Sequence, residues 1–360
     1  MEVSVRGRDG PSKVRIGRLD PPVDFPPDAT PTLLVTEPEV ARLHAPLLPP
    51  FRRVLVARGE AAKSMEGLES LWGAFLDARL DRQSLVLAIG GGAVSDLAGF
   101  AASTWMRGIA FEYVPTTLLA MVDAAVGGKT AIDFRGRKNL VGSFCQPRRV
   151  LCDVAFLESL PDVQFASGMG EVVKHALISG GDYLAFVEGL RGRRPSASSA
   201  PGREELEELV RGSIACKAEI VNRDEREKDE RRILNLGHTI GHALESTLDI
   251  PHGHAIAAGL VSACRLADRH GGTEAGLTAR VEALLEAWGL PTSIAAATAL
   301  SARGRGTGGS RIRCEIAESI SADKKRSGED IGFAMPRAPG VVEIVRIPLT
   351  DIEDFLGGAP

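Results

Sequence analysis

Residues 85–100 of this 360-residue chain, LVLAIGGGAVSDLAGF, give the strongest indication of its fold class. An apolar run over 85–89 predicts a strand, three glycines follow it, and residues 93–102 have a composition suited to a helix. Glycines let backbone N–H groups approach an anion, and the start of the following helix adds partial positive charge. The pattern is not G-x-G-x-x-G, and a tight turn without a ligand is an equally ordinary role for it. The stretch therefore predicts an α/β domain, with either a phosphate-binding turn or a purely structural turn after this strand.

The sequence on both sides continues the alternation of strand and helix. Short β-branched runs predict strands over 32–36, 53–57, 84–89 and 110–114, and apolar residues three and four apart predict helices over 39–47 and 64–80. Beyond Leu157 the strand pattern fades, and helical periodicity covers 204–223, 239–247, 255–270 and 278–288. We predict an α/β N-terminal nucleotide-binding domain over 1–157 and a mostly α-helical C-terminal domain over 158–360. The segments 191–202 and 302–309, rich in Ser, Gly, Pro and Arg, predict mobile surface loops.

Composition restricts the partners that this chain is expected to have. The net charge is −4 and aromatic residues make up 5%, so neither a basic surface nor a set of stacking rings points to nucleic acid. No apolar run in the sequence is long enough for a membrane span. The five cysteines include no C-x-x-C pair, which is typical of reduced thiols in the cytoplasm. We expect a cytoplasmic protein, bound to neither nucleic acid nor membrane, with a small polar or anionic ligand.

A second glycine-rich segment carries charged groups. Residues 107–139 contain Arg107, Asp123, Lys129, Lys138 and Asn139, and two glycines directly precede Lys129. This order suggests a loop where backbone N–H groups and an ammonium approach a phosphate or carboxylate together. A solvated lysine or a structural ion pair is the alternative.

Histidines cluster between positions 238 and 254. His238 and His242 are four residues apart in a predicted helix, so their rings lie on one helix face. A zinc site needs three or four N, O or S donors, and Glu171, within GMGEVVKH at 168–175, offers a carboxylate. Core or capping histidines are the alternative, and Glu171 with Lys174 one helical turn on is by itself an ordinary ion pair. We predict that these histidines bind a metal ion.

Several long motifs follow one another along the chain: GEAAKS from 59, GGGAVSDLAGF from 90, MRGIAFEYVPTTLLAMVDAAVGGKTAID from 106, KNLVGSFCQP from 138, GMGEVVKH from 168, KAEIVNRDERE from 217, LNLGHTIGHALE from 234 and DKK from 323. In this order they resemble the 3-dehydroquinate synthases of the sugar-phosphate cyclase superfamily. The resemblance implies an NAD-binding α/β domain followed by a helical domain, with metal and substrate in the cleft between them.

The resemblance also implies roles for individual residues. A divalent metal, Zn²⁺ or Co²⁺, would be held by Glu171, His238 and His252. The residues that it places around a sugar-phosphate substrate are Asp123, Lys129, Asn139, Lys174, Lys217, Arg231, Asn235, His242 and one lysine of the DKK element, Lys324 or Lys325. The residues that it places at NAD are Glu60, Lys63, Gly91, Gly92, Asp96, Thr116 and Thr117, with Lys129 and Lys138 beside them. Arg107 would reach the substrate phosphate of a neighbouring subunit in a homodimer.

The implied reaction is the cyclisation of 3-deoxy-D-arabino-heptulosonate 7-phosphate to 3-dehydroquinate and phosphate, in the shikimate route to aromatic amino acids. NAD is recycled in this reaction, because oxidation of the C5 hydroxyl transfers a hydride from C5 to NAD⁺ and this hydride is later returned. The metal would act as a Lewis acid on the substrate hydroxyls, and His242 would relay a proton.

Two positions depart from the family pattern. His254 stands where the family has glutamate, and Ser95 stands where glycine is usual. Three alternatives remain open at this stage: a paralogous cyclase of secondary metabolism, a metal-dependent polyol dehydrogenase that releases NADH, and a non-catalytic descendant.

Overall fold

The computed structural model describes residues 2–7, 10–25, 30–194, 200–302, 309–324 and 330–357. Its strands are β1 (Glu2–Val5), β2 (Ser12–Ile16), β3 (Thr32–Thr36), β4 (Arg52–Leu55), β5 (Leu85–Gly90), β6 (Ala110–Pro115), β7 (Lys129–Phe134), β8 (Arg137–Phe144), β9 (Arg149–Cys152), β10 (Asp330–Ala338) and β11 (Val341–Pro348). Its α-helices are α1 (Pro21–Asp24), α2 (Pro38–Leu43), α3 (Met65–Asp77), α4 (Gly92–Thr104), α5 (Asp162–Ser179), α6 (Gly181–Gly189), α7 (Arg203–Arg223), α8 (His238–Leu248), α9 (His252–His270), α10 (Leu277–Ala287), α11 (Ile294–Leu300), α12 (Gly309–Lys324) and α13 (Leu349–Gly357).

The contacts between these elements divide the chain into two compact units. The first unit comprises Met1–Pro161 together with Pro201–Arg226, and the second comprises Asp162–Ala200 together with Glu227–Pro360. The division predicted from the sequence, 1–157 and 158–360, places α7 in the second half, whereas its contacts lie in the first unit. Helical periodicity shows that a segment is amphipathic, but not which core its apolar face joins.

A seven-stranded sheet forms the centre of the first unit, in the order β1-β2-β9-β6-β5-β3-β4. β1 is antiparallel to β2, and the other neighbouring strands of this sheet run parallel. Leu33, Leu34 and Val35 are consecutive and all buried, which shows that both faces of the sheet are covered. The strands β7 and β8 form a separate antiparallel hairpin.

The glycine turn lies between β5 and α4, as the sequence predicts. β5 ends at Gly90, and α4 begins at Gly92 with Gly91 as an extended N-cap residue. Most residues of α4 from Val94 to Ala102 are buried, so the helix is held against the core along its length. The N-terminal N–H groups of α4 are therefore fixed at the carboxyl end of a central strand.

The second unit is mainly helical, and close glycine contacts bring its helices together. A Cβ atom at Gly253 on α9 would lie 1.7 Å from the backbone oxygen of Ser167 on α5. The Gly253 N–H also donates to Ser167 Oγ at 3.0 Å. This close approach of α5 and α9 positions Glu171, one turn further along α5, beside the start of α9.

The predicted fold class and the four predicted strands are confirmed, with shifts of one or two residues at their ends. The helix predicted over 39–47 is shorter: α2 ends at Leu43, and a 3-10 turn at Ala45–Leu47 follows. Pro46 explains the break, because it has no N–H and disfavours α-helical geometry at the preceding residue. The hairpin β10–β11 in the second half was not predicted. Of the two predicted surface loops, 195–199 and 303–308 lie outside the described residues.

Candidate functional site

Three potential metal ligands converge within the second unit. Glu171 lies on α5, His238 is the first residue of α8, and His252 is the first residue of α9. Glu171 Oε1 is 3.4 Å from His238 Nε2 and 3.3 Å from His252 Nε2. The ligand atoms of the three residues all lie within 4.8 Å of one another. The structure thus brings together the three residues that were predicted to hold a metal.

The imidazoles of His238 and His252 are each oriented by a hydrogen bond on the side of the ring opposite Glu171. His238 Nδ1 lies 3.2 Å from the backbone oxygen of Leu236, and His252 Nδ1 lies 2.9 Å from Glu245 Oε2. A carbonyl oxygen can only accept, so the Nδ1 of His238 carries the proton. Each ring therefore directs Nε2 toward Glu171.

The carboxylate of Glu171 is fully buried and next to a buried cation. Its side chain is 0% exposed, and its Oε2 forms an ion pair with Lys174 Nζ, which is also buried. Burial by itself would raise the pKa of Glu171, but the Lys174 ammonium, and then His238 and His252, hold that pKa well below its ordinary value. Glu171 is therefore an anion at neutral pH, as a metal ligand must be.

The histidines of this cluster differ in protonation. Burial, followed by the nearby Lys174 charge, keeps the pKa of His238 well below its ordinary value. Burial also opposes a charge on His252, but its hydrogen bonds to Glu171 and Glu245 raise its pKa to about 10. His238 is therefore neutral at neutral pH. His252 is protonated on both nitrogens, and each N–H faces one of the two carboxylates.

His242 and His254 occupy different environments near this cluster. The ring centroid of His242 is 4.9 Å from that of His238 and 5.8 Å from that of His252. Although His242 reaches the surface, desolvation and then the charge of His252 lower its pKa. His254 is 6% exposed, its Nδ1 has no hydrogen-bond partner among the described residues, and burial lowers its pKa. His242 therefore lies next to the potential metal ligands. His254, which stands where the family has glutamate, is a neutral ring at neutral pH.

The donor set fits a catalytic zinc-type ion. Two imidazole nitrogens and one carboxylate oxygen are the protein ligands of many catalytic zinc sites, which leave a further position open. Bonds of about 2.0–2.1 Å to a tetrahedral zinc place neighbouring ligand atoms about 3.3 Å apart. The observed separations between Glu171 Oε1 and the two Nε2 atoms are 3.3 and 3.4 Å.

A second polar cluster, in the first unit, contains residues predicted to bind NAD. The buried Lys63 donates to Asp96 Oδ2 at 2.9 Å and to Asn139 Oδ1, and lies 3.4 Å from Glu60. Burial raises the pKa of Asp96 to about 6, although the Lys63 ammonium opposes this shift. Burial would lower the pKa of Lys63, but Asp96 and Glu60 raise it instead. Asn139, predicted near substrate, therefore contacts Lys63, which is predicted to bind the cofactor.

The other residues predicted to bind NAD lie at the glycine turn after β5 and just beyond the end of β6. Thr116 N donates to the Gly90 backbone oxygen at 2.9 Å, and Thr117 Oγ1 accepts from Ala120 N at 3.1 Å. A Cβ atom at Gly91 would lie 3.4 Å from Thr117 Cγ2, and one at Gly92 would lie 3.3 Å from Ala124 Cβ. The predicted cofactor residues at the ends of β5 and β6 are therefore neighbours.

Another pair of predicted substrate residues meets in the first unit. Lys217 Nζ, on α7, donates to Asp123 Oδ1 at 2.5 Å and to the Asp123 backbone oxygen at 2.7 Å. The side chain of Lys217 is 8% exposed, so this ion pair is largely shielded from water.

Three other predicted site residues, Lys129, Lys138 and Arg107, lie on separate elements. Lys129 begins β7 directly after Gly127 and Gly128, both with positive φ, so the glycines form the predicted turn but the lysine belongs to a strand. Lys138 lies on β8 and Arg107 in the turn after α4, and both are exposed.

Two predicted substrate residues lie in the chain segment that follows α7 and precedes α8. Arg231 is buried in a 3-10 turn at Glu230–Asn235, and Asn235 Nδ2 donates to Glu227 Oε1 at 2.6 Å. Lys324 is the last residue of α12, its side chain lies outside what the structure describes, and Lys325 falls outside the described residues altogether.

Sequence analysis overlooked two carboxylates that hold predicted site residues. Glu227 accepts a hydrogen bond from Asn235, and Glu245 accepts one from His252. Glu245 follows His242 by three residues, a spacing that places it on the same face of α8 and offered a signal. The bond to His252, however, crosses from one helix to the next and depends on the packing of α8 against α9.

Two solved synthase structures share this fold. The structure of 2-deoxy-scyllo-inosose synthase, complexed with carbaglucose-6-phosphate, NAD⁺ and Co²⁺, matches with a TM-score of 0.82 and 24% identity over 99% of both chains. ValA, the 2-epi-5-epi-valiolone synthase from Streptomyces hygroscopicus subsp. jinggangensis 5008 with NAD⁺ and Zn²⁺ bound, matches with a TM-score of 0.81 and 24% identity over 95% of both chains. At this identity the likeness shows a shared fold.

Sequence comparison defines the family. The profile for the 3-dehydroquinate synthase N-terminal domain matches residues 53–167, and that for the C-terminal domain matches residues 168–305. The 3-dehydroquinate synthase of Desulforamulus reducens is 39% identical over 325 residues, which covers 87% of this chain and 86% of that protein. The chain belongs to the 3-dehydroquinate synthase family.

No described helix has the length and apolar composition that crossing a membrane would require.

Proposed function

We propose that this protein is a lyase that cyclises 3-deoxy-D-arabino-heptulosonate 7-phosphate to 3-dehydroquinate and phosphate, with catalytic NAD and a divalent metal, Zn²⁺ or Co²⁺. This reaction would place it in the shikimate route to aromatic amino acids. Membership of the family supports the reaction class. The single observation that carries the proposal is the arrangement of Glu171, His238 and His252 with the spacing of zinc ligands.

The metal site would be formed by the second unit. When bound, the metal supplies Lewis-acid chemistry that lowers the pKa of substrate hydroxyls and polarises a carbonyl. Glu171 contributes negative charge, and the neutral His238 contributes a lone pair that its Nδ1 bond to Leu236 aims at Glu171. His242, with a lowered pKa and a ring beside both histidines, is suited to accept a proton from a substrate hydroxyl at neutral pH.

The first unit would bind NAD at the glycine turn. The N-terminus of α4 offers N–H groups and partial positive charge to the pyrophosphate, and Gly91 and Gly92 present backbone without a side chain there. Lys63 holds Asp96 and Asn139 in place through charge-assisted hydrogen bonds. Glu60, Thr116, Thr117 and Lys138 complete the proposed cofactor residues.

Basic residues would bind the anionic groups of the substrate. Lys217 is held by Asp123 and is positioned to bind a carboxylate or hydroxyl, as is Lys129. Arg107, Arg231 and a lysine of the DKK element would bind the phosphate, and Lys174 and Asn235 would contact the substrate near the metal.

We also propose that the protein acts as a cytoplasmic homodimer in which Arg107 reaches the neighbouring subunit. Met106, Leu140, Val141 and Phe144 are large apolar residues that are 38–55% exposed in the first unit, as expected of an interface. The five cysteines are free, which agrees with a reducing compartment.

The test of the activity is phosphate release from zinc-loaded protein given the heptulosonate phosphate and substoichiometric NAD, with NADH followed by its absorbance. We expect many phosphates per NAD and no net NADH. Accumulating NADH would instead identify a dehydrogenase, and inactivity here with turnover of sedoheptulose 7-phosphate would identify a paralogous cyclase.

The metal site is tested by His238→Ala. We expect this variant to lose bound zinc and turnover together while retaining the wild-type circular dichroism spectrum. Full activity with stoichiometric zinc would refute the ligand assignment.

A further inference from the structure

Glu245 contacts the imidazole of His252 on the side opposite Glu171. Its Oε2 lies 2.9 Å from His252 Nδ1, while His252 Nε2 lies 3.3 Å from Glu171 Oε1. The Glu245 side chain is 12% exposed and that of His252 is 22% exposed, so the bond is largely protected from water. One imidazole is therefore held between two carboxylates that approach its two different nitrogens.

The two carboxylates cannot serve the ring in the same way. A metal bound at Nε2 requires the Nε2 lone pair, so the remaining ring proton must lie on Nδ1. Glu245 is the hydrogen-bond partner that the structure shows at Nδ1. Its negative charge stabilises the Nδ1–H form and increases the electron density that Nε2 offers to a metal.

The helical framework explains why Glu245 can perform this role. Glu245 lies on α8 and His252 starts α9, and these helices are joined by the short segment Asp249–Pro251. His238 starts α8, so the same helix supplies both a predicted ligand and the carboxylate that orients another ligand. A shift of α8 against α9 would therefore move both His238 and Glu245 relative to His252.

A second arrangement of the same atoms must be distinguished. The ligand atoms of His242, Glu245 and His252 also lie within 4.8 Å of one another, which would allow Glu245 to be a metal ligand itself. Such an ion would use Nδ1 of His252 and displace the proton shared with Glu245. The direct contact of Glu245 with Nδ1, together with the position of Nε2 toward the buried Glu171, favours the orienting role.

We propose that Glu245 is a positioning residue for the metal site, which acts by fixing the orientation and the tautomer of His252. The inference rests on the proposed function, because it assumes that His252 is a metal ligand. Losing such a hydrogen-bond partner typically weakens metal binding by about 10–100-fold.

The experiment compares the wild type with Glu245→Gln and Glu245→Ala. Zinc affinity is measured by competition with a chromophoric chelator at a temperature where every variant is folded, and Co²⁺-loaded samples are compared by their visible absorption spectra. We expect both variants to bind one metal per chain, with affinity reduced about 10–100-fold and most in Glu245→Ala. Glu245→Gln keeps an acceptor atom without its charge, so it should lie between wild type and Glu245→Ala.

A matched control uses another carboxylate that contacts α9. Glu282 on α10 accepts hydrogen bonds from Arg265 on α9 at 2.8 and 3.2 Å, away from the metal ligands in sequence. Glu282→Gln removes a similar interaction with the same helix, and we expect its zinc affinity and Co²⁺ spectrum to match the wild type. If this control weakened zinc binding as much as Glu245→Gln, general loosening of α9 would explain the effect and the positioning role would be wrong.

The remaining outcomes separate the inference from the proposed function. Unchanged zinc affinity and an unchanged Co²⁺ spectrum in both Glu245 variants would overturn the inference and leave the metal site intact. Two metals per wild-type chain, falling to one in Glu245→Ala, would make Glu245 a ligand and also overturn it. Absence of stoichiometric metal from the wild type would instead refute the proposed metal site.

Discussion

Removing the charge of Glu171 should destabilise the second unit because it leaves a buried cation without its partner. The side chains of Glu171 and Lys174 are 0% and 2% exposed, so neither charge is solvated by bulk water. Breaking a buried ion pair by neutralising one partner costs about 3–5 kcal/mol. We expect Glu171→Gln to cost this amount in metal-free protein. Lys174→Met should cost less, because His238 and His252 still face the carboxylate.

The double variant tests whether the pair interacts as the structure shows. Glu171→Gln with Lys174→Met removes both charges, so no buried ammonium remains unpaired. Residues in direct contact show interaction energies of about 0.5–3 kcal/mol in such cycles. We expect the double variant to be more stable than the sum of the single effects by about 2 kcal/mol. Additivity to within about 0.5 kcal/mol would show that Glu171 and Lys174 do not interact as a buried ion pair.

The assay must report on the second unit alone. Trp288 is buried in that unit, whereas Trp72 and Trp105 lie in the first unit. Urea unfolding followed by Trp288 fluorescence, with the other two tryptophans replaced by phenylalanine in every sample, isolates the relevant transition. Metal content provides a second readout: Lys174→Met should keep one zinc per chain, whereas Glu171→Gln should lose it.

Three further predictions concern packing, pH and metal removal. Gly253→Ala should cost about 3 kcal/mol and reduce zinc content, since its Cβ would lie 1.7 Å from the Ser167 oxygen. Gly189→Ala, where no atom lies within 4 Å of the added Cβ, should change stability by less than about 1 kcal/mol in the same urea titration. Asp96, with its pKa raised from 3.8 to about 6, holds its proton more tightly when folded, so its contribution to stability falls as the pH rises through this range. The stability of wild type relative to Asp96→Asn should therefore drop by about 2 kcal/mol between about pH 4 and about pH 7, and parallel pH profiles would contradict this assignment. Zinc at a thousandfold excess over its Kd should stabilise the Trp288 transition by about 4 kcal/mol, and a chelator should remove that gain; equal stabilisation of the first unit would contradict a site confined to the second.

Local sequence patterns predicted the elements that carry most of the site. The order of strand, glycine turn and helix at 85–104 could be read directly, because apolar continuity and glycine placement act over neighbouring residues. The early end of helix α2 has an equally local cause, because Pro46 interrupts the segment whose apolar spacing predicts a longer helix. The hairpin β10–β11 was missed because its pairing joins two strands that lack a regular alternation of buried and exposed residues.

The site itself was predicted to different depths. His238 and His242 showed their common helix face through their spacing alone. The resemblance of several motifs to one family then indicated that Glu171 and His252 join His238. Their spacing as ligands, 3.3 and 3.4 Å from Glu171 Oε1 to the two Nε2 atoms, comes from the structure.

Local sequence patterns and motifs were sufficient to predict the fold class, the glycine turn, the family and the residue types available for metal and cofactor. Three contacts appear only in the folded chain: α7 packs in the first unit, Lys63 joins Asp96 to Asn139, and Glu245 accepts a hydrogen bond from His252. The reason is physical: periodicity and turn chemistry are set by neighbouring residues, whereas these contacts depend on how closely separate elements pack. At Gly253 that packing requires a residue without a side chain, and it is this close approach that brings α9 and its first residue beside Glu171.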